Sequence, residues 1–125
     1  DEVVFHEPCY VSYSPSIALA HGRAVAVETH KADAFSLKPE ALAAAITPRT
    51  RVLMLNFPTN PTGAVASLAD LEGIARLAIQ HDLIVLTDEI YSELRYDGEK
   101  HISIASLPGM LERTNAGVAT APAMV

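Results

Sequence analysis

One cysteine, Cys9, stands among 125 residues, which excludes an internal disulfide or a zinc cluster built on several thiolates. A lone thiol of this kind is expected to be buried and reduced, in a cytoplasmic protein. Basic residues are scarce too: nine Lys and Arg face fifteen Asp and Glu, for a formal charge of -6. Phosphate backbones and acidic lipids both repel such a chain, so neither nucleic acid nor a membrane is an expected partner. No apolar run reaches the ~18 residues of a membrane span, and the opening Asp1-Glu2 is unlike the basic start of a signal peptide. None of the six glycines is followed by lysine, so the phosphate loop G-x-x-x-x-G-K-[ST] is missing.

What is present is a globular composition, 50% hydrophobic and 19% charged, long enough for one domain or a piece of one. "EVVF" (2–5) reads as a strand with nothing before it, and an excised segment is expected. Strand and helix patterns then alternate. "YVSYSPSIALAHG" suggests a helix with apolar Val11, Ile17, Leu19 and Ala20, stopped by Gly22. "RAVAVET" (23–29) alternates as a strand. "KPEALAAAI" (38–46) places Pro39 at the first helical position. "RVLMLNF" (51–57) is an apolar strand. "SLADLEGIARLAIQHD" (67–82) is a helix with Ser67 and Asp70 as a capping pair and Leu68, Leu71, Ile74, Ala75 and Ala78 on one face. "LIVLT" (83–87) reads as a fully buried strand. Such alternation predicts a mostly parallel sheet covered on both faces, a partial three-layer α/β/α sandwich. Ligands then bind beyond the carboxyl ends of the strands.

Two strand ends carry chemistry. After "LIVLT" come Asp88 and Glu89, with Tyr91 close behind. An apolar strand ending in acid suits a magnesium site of an ATPase, but the missing phosphate loop removes that reading. "HEPC" (6–9) has neither the spacing nor the second cysteine of a zinc deaminase, so no metal is expected. His21, His30, His81 and His101 read as surface or capping residues. The other strand end is "NFPTNPTG" (56–63), a stiff turn whose Gly63 is free to take positive φ.

The pair of motifs, Asn60-Pro61-Thr62-Gly63 followed by Asp88 and Tyr91, resembles the class I and II aminotransferases, the fold type I enzymes that use pyridoxal 5'-phosphate. The likeness covers nearly all of residues 1–114, including "EPCYVSYSP" and "VLTDEIYSELRYDGEKHISIASLPGMLERT". It implies a partial large, cofactor-binding domain over 1–114, with amino acid and 2-oxo acid substrates and a homodimeric parent enzyme. By resemblance Asp88 would face the cofactor's ring nitrogen. At about 4 Å and an effective dielectric near 20 that attraction is about 4 kcal/mol. The competing role for Asp88 is to cap an "EIYSELRY" helix, and the two roles are treated as exclusive. Tyr91 and Asn60 would both donate to the cofactor's phenolate oxygen, and Tyr10 would stack on its ring, with Tyr13 three residues on as a rival for that place. Glu89 is expected to take no part in catalysis.

The resemblance also implies a Schiff-base lysine in a serine-rich loop beyond "LERT". Lys31, Lys38 and Lys100 lie in other settings, so no residue here is assigned as catalytic, and the chain alone is expected to be inactive. Residues 115–125, "NAGVATAPAMV" from Asn115, fit neither the expected strand nor that loop and read as an atypical tail. Alternatives stay open: another reaction of the same superfamily, such as carbon–sulfur lysis or aminocyclopropane-carboxylate synthesis, or a non-catalytic remnant or interaction module.

Overall fold

A computed structural model describes residues 1–91 and 100–115. Its strands are β1 (Glu2–Glu7), β2 (Arg23–Glu28), β3 (Thr50–Asn56), β4 (Ile84–Asp88) and a short β5 (Thr114–Asn115). The helices are α1 (Tyr13–Leu19), α2 (Pro39–Ala45) and α3 (Leu68–Gln80). Every strand pair is parallel, in the order β2-β1-β3-β4-β5. The chain therefore runs outward from β1 to β2, then crosses back over β1 to build β3, β4 and β5. Right-handed crossovers send α1 to one face and α2 and α3 to the other.

The helix pair α2–α3 covers its face well. Leu42 of α2 and Leu71, Ile74, Ala75 and Ala78 of α3 pack on Val4, Leu53, Leu55 and Val85 of the sheet. Pro39 opens α2, as its missing N–H allows. Ser67 caps α3 by accepting the Asp70 N–H at 3.1 Å, as the sequence predicted. The two helices touch at Gly73, where an added Cβ would lie 2.4 Å from Pro39 Cγ. Lys38 and Asp70 meet at 3.5 Å beside that contact, a partly exposed ion pair that adds little.

The other face is only partly covered, and here several expectations fail. In seven-residue α1 only Ile17 is buried; Val11 and Leu19 are 83% and 82% exposed. Two turns of helix lying against β2 have one side chain to offer the sheet. Ile17 and Ala20 share an open trough with Val3, Val52, Met54 and Leu86. Ile84 is 55% exposed, so β4 is buried on one face rather than on both. Leu68 also faces outward, since it starts α3 before the buried stripe begins. Helix α1 ends on His21 at φ 62°, one residue earlier than the expected glycine stop. Gly22 serves a different need, since a Cβ there would sit 3.1 Å from Ile17 Cγ2.

Candidate active site

The strand order switches direction between β1 and β3, and α/β sheets bind ligands outside the carboxyl ends of the strands near such a point. The β1–β3 ladder runs only as far as Phe5 opposite Met54. The β3–β4 ladder goes on until Asn56 lies opposite Asp88. Three strand tips thus come together: Pro8 to Tyr10 after β1, the 56–63 turn after β3, and Asp88 to Tyr91 after β4.

The 56–63 turn is held from within. Buried Asn56 accepts the Asn60 N–H at 3.0 Å through Oδ1, and its Nδ2 donates to the carbonyls of Asp88 (3.0 Å) and Pro58 (3.3 Å). Thr59 Oγ1 donates to the Asn56 carbonyl at 2.6 Å, and Gly63 N–H returns to the Thr59 carbonyl at 2.8 Å. Gly63 takes φ +73° with open space around it, the positive φ that its sequence position suggested. The turn presents the Asn60 side chain, whose Nδ2 donates to Tyr91 Oη at 3.4 Å.

Asp88 divides its two oxygens. Oδ1 accepts the Ile90 N–H at 3.3 Å, closing a local turn. Oδ2 accepts the Tyr13 hydroxyl in a short hydrogen bond. Both carboxylate oxygens are thus engaged within the chain, one by a local turn and the other by a tyrosine 75 positions away. Burial, then the bond to Asp88 and its charge, drive the Tyr13 pKa far above the phenol range. Tyr13 stays protonated and donates. Tyr10 stands edge-on to Tyr13, with centroids 6.0 Å apart at 71°, and keeps 46% of its surface exposed. The two tyrosines separate into different jobs: Tyr13 holds the acid, and Tyr10 leaves a ring at the mouth of the site.

Glu89 turns away from the crevice into the protein. It is 6% exposed and accepts from Ser103 Oγ at 2.8 Å and Thr87 Oγ1 at 3.1 Å, with His101 Nε2 at 2.9 Å. Desolvation pushes its pKa up, but the bonds from His101, Ser103 and Thr87 outweigh it and hold the carboxyl below the usual range. His101, expected as a surface or capping residue, is drawn inward by this carboxylate. Cys9 is partly exposed rather than buried, beside Tyr10 and Glu7 in a surface hollow. Burial and the Glu7 charge raise its thiol pKa. Among the described residues no three His, Cys, Asp or Glu converge as a metal site. No helix among them is long and apolar enough to cross a membrane. The greater part of the expected 89–96 helix lies outside the described residues.

Asn60, Tyr91, Asp88 and Tyr10 thus stand on neighbouring strand tips. Sequence reading missed Tyr13's bond, the Asn56 hub and the Glu89 cluster. Only Tyr13 left a signal, its three-residue spacing from Tyr10.

The sequence profile of aminotransferase class I and II matches residues 1–122. The chain belongs to that family. Among relatives, the aromatic-amino-acid aminotransferase 2 of Thermococcus litoralis is 49% identical over 114 residues, covering 91% of this chain and 29% of that protein. The aspartate aminotransferase of Pyrococcus abyssi is 47% identical with the same coverage. Among solved structures, an aromatic aminotransferase from Pyrococcus horikoshii OT3 superposes with a TM-score of 0.88 at 48% identity, over 91% of this chain and 30% of that one. The N-succinyldiaminopimelate aminotransferase of Mycobacterium tuberculosis gives 0.87 at 45%, over 91% of this chain and 30% of that one. This aminotransferase-family chain therefore spans about three tenths of the relatives it matches, and its parallel sheet is that of fold type I.

Proposed function

We propose that the chain forms part of the cofactor-binding domain of a pyridoxal 5'-phosphate-dependent aminotransferase, which moves an amino group between an amino acid and a 2-oxo acid. The observation that carries this reading is the convergence of Asp88 with the Asn60–Tyr91 pair on the level tips of β3 and β4, beside the switch in strand order. The donor set suits the cofactor: one carboxylate for a cationic ring nitrogen, two neutral donors for an anionic ring oxygen, and an exposed aromatic ring for a flat face.

Bound there, pyridoxal phosphate would supply the electron sink that amino-group transfer requires. The chain's own residues do the holding. Asp88, oriented by Tyr13 and by the Ile90 N–H, would keep a proton on the ring nitrogen through its negative charge. Asn60 and Tyr91 would donate to the ring oxygen, and Tyr10 would cover one ring face and exclude water from it. The relatives are named for aromatic amino acids, aspartate and, in Pseudomonas aeruginosa, arginine with pyruvate. Shared residues across such different substrates support a role for this segment in holding the cofactor rather than selecting the amino acid. Assembly as a homodimer and a cytoplasmic location belong to the same reading.

Lys31, Lys38 and Lys100 are the only lysines of the chain, and Lys38 is engaged with Asp70. Residues 1–125 by themselves then bind the cofactor without a covalent link and do not catalyse transfer. Equilibrium dialysis with pyridoxamine 5'-phosphate tests the site: Asp88→Asn weakens binding about tenfold or more. Borohydride reduction after incubation with pyridoxal phosphate tests the lysines. A stoichiometric adduct on a single lysine overturns the non-covalent reading, and unchanged affinity in Asp88→Asn overturns the site.

A further inference from the structure

Beyond Phe5 and Met54 the β1–β3 ladder stops, yet both strands continue, β1 beside β2 to Glu7 and β3 beside β4 to Asn56. Where two strands part, backbone groups lose their ladder partners, and a buried N–H cannot be left without one. Asn56 is such a residue, 1% exposed. The side chain of His6, 2% exposed, takes the place of the lost partner: Nε2 accepts the Asn56 N–H at 3.0 Å. The imidazole lies flat on Phe57, with centroids 4.6 Å apart and planes within 3°, so it also fills the space the strands leave.

From Asn56 the connection runs to both cofactor-facing tips, through Oδ1 to the Asn60 N–H and through Nδ2 to the Asp88 carbonyl. Nε2 accepts only in a neutral imidazole protonated at Nδ1. Burial lowers the His6 pKa to about 4, which keeps that form in place at neutral pH.

We propose that His6 is a positioning residue of the cofactor site: wedged where β1 and β3 part, it fixes Asn56 and, through it, the placement of Asn60 relative to Asp88. The proposal rests on Asn60 and Asp88 being cofactor contacts. An apolar side chain of similar size fills the gap but leaves the Asn56 N–H without an acceptor. A glutamine restores one.

The test compares the 125-residue chain with His6→Leu, His6→Gln and Asp88→Asn, by amide hydrogen exchange and by dialysis against pyridoxamine 5'-phosphate. In His6→Leu, exchange at the Asn56 and Asn60 amides quickens about tenfold relative to the Leu83 amide. That reference amide bonds the Ala78 carbonyl at the far end of α3. Ligand affinity falls by a similar factor, and His6→Gln recovers both. Unchanged exchange at Asn60 overturns the proposal. So does an equal rise at Asn56, Asn60 and Leu83, which marks general loss of stability, or a His6→Gln that behaves as His6→Leu. If His6→Leu does not fold, His6→Gln decides alone, since faster exchange at its Asn60 than at its Leu83 overturns the proposal and wild-type ratios uphold it. If Asp88→Asn weakens binding while His6→Leu does not, the positioning role fails by itself. If Asp88→Asn has no effect, or nothing binds, the cofactor reading fails and the exchange ratios still decide what His6 does.

Discussion

Tyr13 donates its hydroxyl to Asp88 across 75 residues of sequence, tying the first helix to the tip of the fourth strand. On the proposed reading Asp88 faces a cationic ring, and such a carboxylate gains from being held in advance, because an unconstrained side chain loses rotamer entropy when it binds.

Replacing Tyr13 with phenylalanine removes that hold and little else. The acid must then be ordered when the ligand binds, at a cost of about 0.5 to 1.5 kcal/mol, so affinity for pyridoxamine 5'-phosphate falls about two- to tenfold. Dialysis against wild type reads the change. Equal affinity means that the Ile90 N–H alone orients the acid.

Glu89 organises three donors from two segments, and its removal strands all of them. Glu89→Ala lowers unfolding stability by about 3 kcal/mol, and Glu89→Gln, which keeps one acceptor oxygen, by about 1 kcal/mol. Urea unfolding measures both. The Glu89 carboxyl is held below the usual range when folded. Its contribution is therefore present above the unfolded value and lost as pH falls through the folded one, a step that Glu89→Gln abolishes.

His6 produces a second acid sensitivity at higher pH. Its pKa drops from 6.5 unfolded to about 4 folded, so below 6.5 the unfolded chain takes up a proton that the folded chain refuses. Stability falls by about 1.4 kcal/mol per pH unit from 6.5 down to about 4, then levels for this group. His6→Gln flattens that window. A slope that survives the substitution belongs to another residue.

Among the described glycines, Gly73 at the α2–α3 contact has the least room for an added methyl. Gly73→Ala places a carbon 2.4 Å from the Pro39 ring, and the ring has little freedom to yield. The expected loss is about 1 to 3 kcal/mol despite alanine's better helix propensity. Thermal unfolding of the variant settles the sign: a rise in Tm means that α2 moves aside at no cost.

Periodicity made most of the fold legible. Ser67, Pro39 and the apolar stripe of α3 marked helix ends and faces that the structure reproduces. What escaped depended on partners distant in sequence. Nothing near Val11 or Leu19 signals that α1 lies against the sheet by one side chain. Nothing near His6 says that its strand will part from β3 two residues before its end. The proposed site residues stood out in the sequence because Asn60 and Asp88 sit in recognisable motifs at strand ends. Their supports were not, because Asn56 and Glu89 act through bonds to residues up to 50 and 14 positions away.

The ladder that sets Asn56 level with Asp88 has a consequence for how this segment can change over time. Parallel neighbours lie about 4.8 Å apart, so the two motifs are spaced by backbone pairing and not by the polypeptide that joins them. That polypeptide, α3 included, travels around the outside of the sheet and carries none of the spacing. Insertions or deletions on its outer turns would lengthen or shorten the path between the motifs while their pitch in space stayed the same. Along the sequence the interval is elastic. Across the sheet it is a lattice constant.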